Sequence, residues 1–183
     1  SKYAIVLSLT WMSSDALREE LAGRGLSEKV VETLVKSREY IHAPRALIVT
    51  RDKHSESDYM YYPITVVEDY PDLGNLESYI AEGKGIKAED STSIITAIAG
   101  ALALLHYKGL VHLNVKPQNI VLFSDEKRGV RPALSGHLNI SLNNIPIRVE
   151  HIDFNYSDPV ALLKGRVTYS YDLYSLGLTA HYM

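Results

Sequence analysis

The 183-residue chain contains no cysteine, which removes disulfide frameworks, thiolate zinc sites and cysteine nucleophiles together. The same lack leaves the redox compartment unreadable, so localisation stays open between the cytoplasm, the default, and secretion. Positive charge is not in excess: 19 Lys and Arg against 22 Asp and Glu give a net charge of −3. Partners such as nucleic acid or an anionic membrane normally face a basic footprint, and neither is expected here. The opening Ser1-Lys2-Tyr3-Ala4-Ile5-Val6-Leu7 is too short an apolar run to span a bilayer, and no small-residue cleavage site follows it. Glycine never gathers into a Gly-x-Gly-x-x-Gly run of the kind that covers nucleotide phosphates. What is present, 46% hydrophobic and 22% charged residues, is the composition of a folded soluble domain, and the length suits a single core.

Periodicity predicts the elements. Tyr3 to Trp11 reads as a strand, and Ser13-Ser14-Asp15 caps a short helix ending at Gly23. A second, amphipathic helix begins at Ser27 and Glu28, with Val30, Val31, Leu34 and Val35 on its apolar face. Ala46 to Thr50 and Tyr61 to Val67 form a hairpin around a polar stretch. Leu76 to Glu82 is a short helix, and Ser91 to Tyr107 a long apolar one stopped by Gly109, with Ile94, Ile95, Ile98, Ala101, Leu102 and Leu105 on its buried side. Ile120 to Phe123, Ala133-Leu134 and Ile145 to Val149 are short strand candidates, Asp125 to Arg128 a solvated turn, and Asp172 to Met183 a buried helix. Strands first and helices later make the fold class α+β, with a change of character near Glu68 to Asp72.

After the long helix comes His112-Leu113-Asn114-Val115-Lys116-Pro117-Gln118-Asn119. It resembles the catalytic loop of eukaryotic-type protein kinases, His-Arg-Asp-x-Lys-Pro-x-Asn, at His112, Lys116, Pro117 and Asn119. Other segments fall in the family's order. His42-Ala43-Pro44 resembles the turn before strand four, Val67 to Tyr70 with Leu73 to Leu76 the hinge and following helix, and Asp172 to Gly177 the start of helix F. In the family that helix's Asp braces the catalytic-loop backbone. The resemblance implies a bilobal fold with a reduced N-lobe over residues 1–70 and a mainly helical, truncated C-lobe over 71–183. A stop at Met183 inside helix F is expected to leave part of the lobe for further sequence or a partner chain to cover.

The departures fall on the chemistry. Asn114 stands where the family's aspartate accepts the proton of the attacking hydroxyl, and Leu113 where an Arg would pair with a phosphorylated loop. Spacing puts Ser135 at the magnesium-binding Asp of Asp-Phe-Gly. The rival, Asp153-Phe154-Asn155, lies too close to Asp158-Pro159-Val160, which occupies the place of Ala-Pro-Glu. Val6 falls at the phosphate-pairing lysine, and Glu32 is the candidate for its helix C partner, with a surface charge as the plainer reading. Losing a base alone costs about 10²–10⁴ in rate, but phosphoryl transfer rests on metal and lysine, and both anchors are replaced.

The resemblance thus implies a pseudokinase: no catalytic residue at Val6, Asn114 or Ser135, no metal, and no cofactor, neither ATP nor magnesium. His112, Lys116, Asn119 and Asp172 remain as motif remnants, and Glu32, Glu68, Tyr70, Lys116 and Asn119 mark where a nucleotide cleft would lie. Function would then be protein binding as a scaffold or allosteric regulator, with a kinase or a kinase substrate among candidate partners. Two alternatives stay open. One is an atypical active Ser/Thr kinase that holds metal through a relocated carboxylate such as Asp153, and the other a purely structural subunit. The remaining histidines, His106, His137 and His151 among them, lack metal-ligand spacing and read as core or surface residues. Tyr59 to Tyr62 and Tyr169, Tyr171 and Tyr174 are possible contact groups or ordinary packing.

Overall fold

Ser13 opens the first element, because its hydroxyl accepts the Ala16 N–H at 3.1 Å and caps α1 (Ser14–Ala22). The computed structural model describes residues 12–43, 46–49, 64–83, 85–148 and 152–183. The predicted strand Tyr3 to Trp11, with Val6, and the tyrosines 59–62 lie outside the described residues. α2 (Glu28–Ser37) buries Val31, Leu34 and Val35 but leaves Val30 42% exposed, so its apolar face is narrower than periodicity suggests. A 3-10 turn at Arg38–Tyr40 follows. β1 (Ala46–Val49) pairs antiparallel with β2 (Ile64–Val67), Ala46 opposite Val67, as the predicted hairpin.

α3 (Leu76–Ala81) is capped by Asn75, whose side chain takes the Ser78 N–H while the Ser78 hydroxyl takes the Asn75 N–H. α4 (Ala88–Tyr107) starts three residues ahead of the predicted Ser91, and Glu89 and Asp90 in its first turn suit the positive end of the helix dipole. Gly109, at φ 74°, ends it by entering the left-handed region that a side chain resists. β3 (Leu110–Val111) then leads into the loop, β4 (Ile120–Asp125) and β5 (Gly129–Leu134) form a second hairpin, and β6 (Ser141–Leu142) returns to pair with β3. The Asp125 carboxylate accepts the Lys127 and Arg128 N–H groups to close the hairpin turn.

The predicted strand at Ile145 to Val149 does not form over residues 145–148. Pro146 carries no N–H for a ladder, and only a bridge to Arg166 remains. α5 (Pro159–Lys164) starts under an Asp158 cap, and α6 (Tyr169–Tyr182) begins three residues before Asp172. One core gathers around α4. Ile98, Ala101, Leu102 and Leu105 of that helix are buried together with Leu17 and Leu21 of α1, Leu34 of α2, Ile120 and Leu122 of β4, Leu134 of β5 and Leu176 of α6. Each large aliphatic side chain so buried stabilises the fold by about 1.5–3 kcal/mol, and together they fix the loop after β3 between α4, α6 and the β4–β5 hairpin.

Candidate functional site

The loop from His112 to Asn119 is held from beneath by Asp172 in the first turn of α6. That carboxylate is fully buried, accepts the backbone N–H of His112 at 2.8 Å and of Leu113 at 2.9 Å, and lies 2.7 Å from His106 Nε2 on α4. Three donors satisfy a charge that would be costly to bury alone. They also hold Leu113 at φ 62°, a strained position for a branched-chain residue, which persists because its surroundings determine it. Sequence reasoning placed Asp172 but left His106 as an ordinary core or surface residue. The signal was its position four residues after buried Leu102, which puts an imidazole on the inner face of α4.

His112 itself is wholly buried. Its ring meets His137 edge to face, with centroids 5.3 Å apart, and among the described residues neither ring nitrogen has a hydrogen-bond partner. Burial, reinforced by the neighbouring His137 and His106, keeps it far below the ordinary imidazole pKa, so it is neutral. His137 is also buried and donates from Nε2 to the His42 carbonyl at 2.9 Å; burial lowers its pKa to about 4.

Above the brace, Asn119 and Ser135 close a small network. Ser135 donates to the Asn119 carbonyl from both its N–H, at 2.8 Å, and its hydroxyl, at 3.0 Å. Asn119 Nδ2 donates to the Asn114 carbonyl at 2.8 Å, and Asn114 Nδ2 reaches the Gly136 carbonyl at 3.5 Å. Gly136, at φ 79°, lies so close that an added Cβ would sit 2.7 Å from Asn119 Cγ. Only glycine meets both demands there.

Lys116 points the other way. Its ammonium binds Asp153 Oδ2 at 2.9 Å, with both side chains partly buried. Burial raises the Asp153 carboxyl, but the Lys116 and Asn155 hydrogen bonds outweigh it and hold the group below the usual carboxylate range. The structure therefore brings His112, Asn114, Lys116, Asn119, Ser135, Asp153 and Asp172 together.

It does not bring in Glu32, Glu68 or Tyr70. Glu32 accepts from Arg18 Nε on α1 at 2.6 Å, Glu68 lies 3.5 Å from His42 Nε2, and Tyr70 is 86% exposed. The tyrosine group at the start of α6 divides as well. Tyr169 packs on His106, Tyr171 is buried, and Tyr174 is exposed.

Residues 45–183 match the protein kinase domain family. The chain is similar to human serine/threonine-protein kinase ULK1, 33% identical over 69 residues, which are 38% of this chain and 7% of that protein. It is similar to the probable serine/threonine-protein kinase PknB of Lactococcus lactis, 25% identical over 118 residues, 62% of this chain and 18% of that protein. Serine/threonine-protein kinase PrkC of Bacillus subtilis is 26% identical over 132 residues, 67% of this chain and 18% of that protein. The chain thus spans less than a fifth of the length of these relatives.

Proposed function

The chain belongs to the protein kinase domain family, and on that premise we propose that it is a kinase-like domain without phosphoryl-transfer activity that works by binding a protein partner. One observation carries the reading: the loop's scaffold is kept through Asp172, while the groups that would handle a proton and a metal are an amide at Asn114 and a hydroxyl at Ser135. An amide has no basic lone pair at neutral pH, so Asn114 cannot take a proton from an attacking hydroxyl. Magnesium asks for hard oxygen donors, usually one or two carboxylates. The residues present do not fit it. Ser135 is spent on Asn119, and Asn119 on Asn114. Asp153 already faces an ammonium, which would repel a dication, and Asp172 is spent on the loop backbone and His106. Among the described residues, no group of three His, Asp or Glu side chains converges to hold an ion.

The partner half of the reading is supported by exposed apolar side chains around α5 and α6. Val160 and Leu163 lie one turn apart on α5 at 53% and 90% exposure, and Phe154 and Leu173 are also solvent-facing. A thermal melt with ATP and magnesium tests the catalytic half. A ligand that binds only the folded state at 100 times its Kd adds about 2.7 kcal/mol of stability. No magnesium-dependent rise is expected, and a clear one overturns the reading. An active enzyme using Asp153 is the second reading, favoured by that carboxylate lying at the loop. Label transfer from ATP that disappears in Asp153→Ala would establish it.

A further inference from the structure

The end of α2, the β4–β5 hairpin and the segment that leaves β2 surround an open cavity of about 230 Å³, and no residue of the His112 to Asn119 loop lines it. Its floor is apolar and buried, formed by Ile41, Phe123 and Ala133. Charge of both signs stands around that floor: the guanidiniums of Arg38 and Arg131 and the carboxylate of Asp69. Glu39 also borders it, but its carboxylate is engaged by Arg128 at 3.0 Å, and the imidazole of His42 lies 3.5 Å from Glu68.

Both guanidiniums are held in place with donors to spare. Arg131 lies 4.3 Å from the centroid of the Phe123 ring, and among the described residues it hydrogen-bonds only through Nη1, to the Glu39 carbonyl at 3.1 Å. Arg38 donates from Nη1 to the Met12 carbonyl at 2.6 Å and from Nη2 to the Ser14 hydroxyl at 2.7 Å. A guanidinium fixed in this way accepts a carboxylate through paired N–H···O bonds with little further loss of side-chain freedom. Asp69 can take an ammonium besides the contacts it already makes, because a carboxylate has several acceptor sites. A simple anion would gain from the two arginines and lose against Asp69, and a simple cation the reverse. Only a ligand carrying both charges close together suits the whole wall. The cavity is also smaller than the about 300–1,000 Å³ of drug-sized sites, so its occupant is small.

We propose that this cavity binds a free α-amino acid with an aliphatic side chain, its carboxylate on Arg131 and Arg38, its ammonium on Asp69 and its side chain over Ile41, Phe123 and Ala133. The proposal goes beyond the non-catalytic reading and does not depend on it, since Asn114, Lys116, Asn119 and Ser135 lie outside the cavity. A peptide end would carry one of the two charges, so the same wall distinguishes a free amino acid from a chain terminus.

The test is a nuclear magnetic resonance titration of the ¹⁵N-labelled chain with L-leucine, L-leucinamide and N-acetyl-L-leucine, read at the amides of Ile41, His42 and Ala133. L-leucine is expected to shift them saturably, and each derivative, lacking one charge, to bind about tenfold or more weakly. Arg131→Gln should weaken L-leucine by about the same factor and leave L-leucinamide unchanged, while Asp69→Asn should weaken L-leucine and leave N-acetyl-L-leucine no weaker. Absence of a saturable shift with L-leucine at millimolar concentration overturns the proposal. So does N-acetyl-L-leucine or L-leucinamide binding as tightly as L-leucine, which would make the cavity the seat of a peptide C-terminus or N-terminus instead. Should Arg131→Gln fail to fold by circular dichroism, Arg131→Lys decides, because it keeps the charge and loses the fork: L-leucine bound as tightly as by the natural chain overturns the assignment. Label transfer from ATP bears on the non-catalytic reading alone.

Discussion

At the scale of single residues, Asp172 shows how one side chain carries a loop. Its carboxylate serves two backbone N–H groups and an imidazole from inside the core. Each buried donor left without a partner costs about 1–3 kcal/mol, so Asp172→Ala is expected to lose roughly 3–5 kcal/mol and to lower the urea midpoint accordingly. Asp172→Asn keeps the volume and one acceptor, and its loss should be smaller. An alanine variant as stable as the natural chain would mean the brace is incidental.

The motif made this residue legible, because the sequence around Asp172 resembles the family's helix F. Its third partner was not legible, since His106 lies 66 positions away and periodicity only assigns it to a helix face. Asn119 is a similar case. Its letter was read, and a loop-bracing hydrogen bond was the favoured reading, but not that the Asn114 carbonyl would be the partner.

Among elements, the packing of α2 on α4 turns on Gly100. A Cβ there would fall 2.3 Å from Ser37 Oγ and 3.1 Å from Ser37 Cβ, so the two helices approach closely. Gly100→Ala would gain up to about 1 kcal/mol of helix propensity in isolation. Overpacking of a tight interface costs about 1–3 kcal/mol, and since Ser37 is itself buried and bonded to the Thr33 carbonyl, the clash is expected to win. Ser37→Ala removes the closer atom, so the double variant should recover part of the loss. Chemical denaturation of the four proteins in the cycle measures that coupling, and strictly additive changes would count against a direct clash.

Helix caps at Ser13 and Asn75 obey local rules, which is why α1 and α3 begin where the sequence says they should. The strand predicted at Ile145 to Val149 depended on a pairing partner. The partner that β3 takes is Ser141–Leu142, a choice no local rule makes.

Across the whole molecule, three buried histidines from separate segments set the acid response. His42, near Glu68, Asp69 and Arg131, is lowered by burial against the pull of the two acids. His112 and His137 are lowered by burial and by their imidazole neighbours. A neutral histidine in the folded state and a protonatable one in the unfolded state mean that the unfolded chain binds more protons as pH falls below about 6.5. Stability is therefore full above that pH and falls as the solution is acidified; for His137 the loss continues down to about pH 4. The depressed carboxyls, Asp153 among them, act in a lower window, holding their contribution above the unfolded carboxylate pKa near 4 and losing it as pH drops through their folded values. Urea titrations are expected to show a lower midpoint at pH 5 than at pH 7, with a shallower slope in His137→Gln. A flat profile between those values would contradict neutral burial of this group.

The helix that organises the core, α4, is by length and composition alone apolar enough to cross a membrane, yet its apolar side packs against α1, α2, the β4–β5 hairpin and α6. What the amino-acid sequence determined unaided was local or carried by spacing: the caps, the helix periods, the loop motif and the replacement of its acid by Asn114. Those follow from neighbours within a few residues and are written into the chain. Only the tertiary structure decided that Lys116 meets Asp153, 37 residues on, and that His106 meets Asp172, because partners that distant are chosen by how α4, α6 and the hairpin pack, and packing is a property of the whole core.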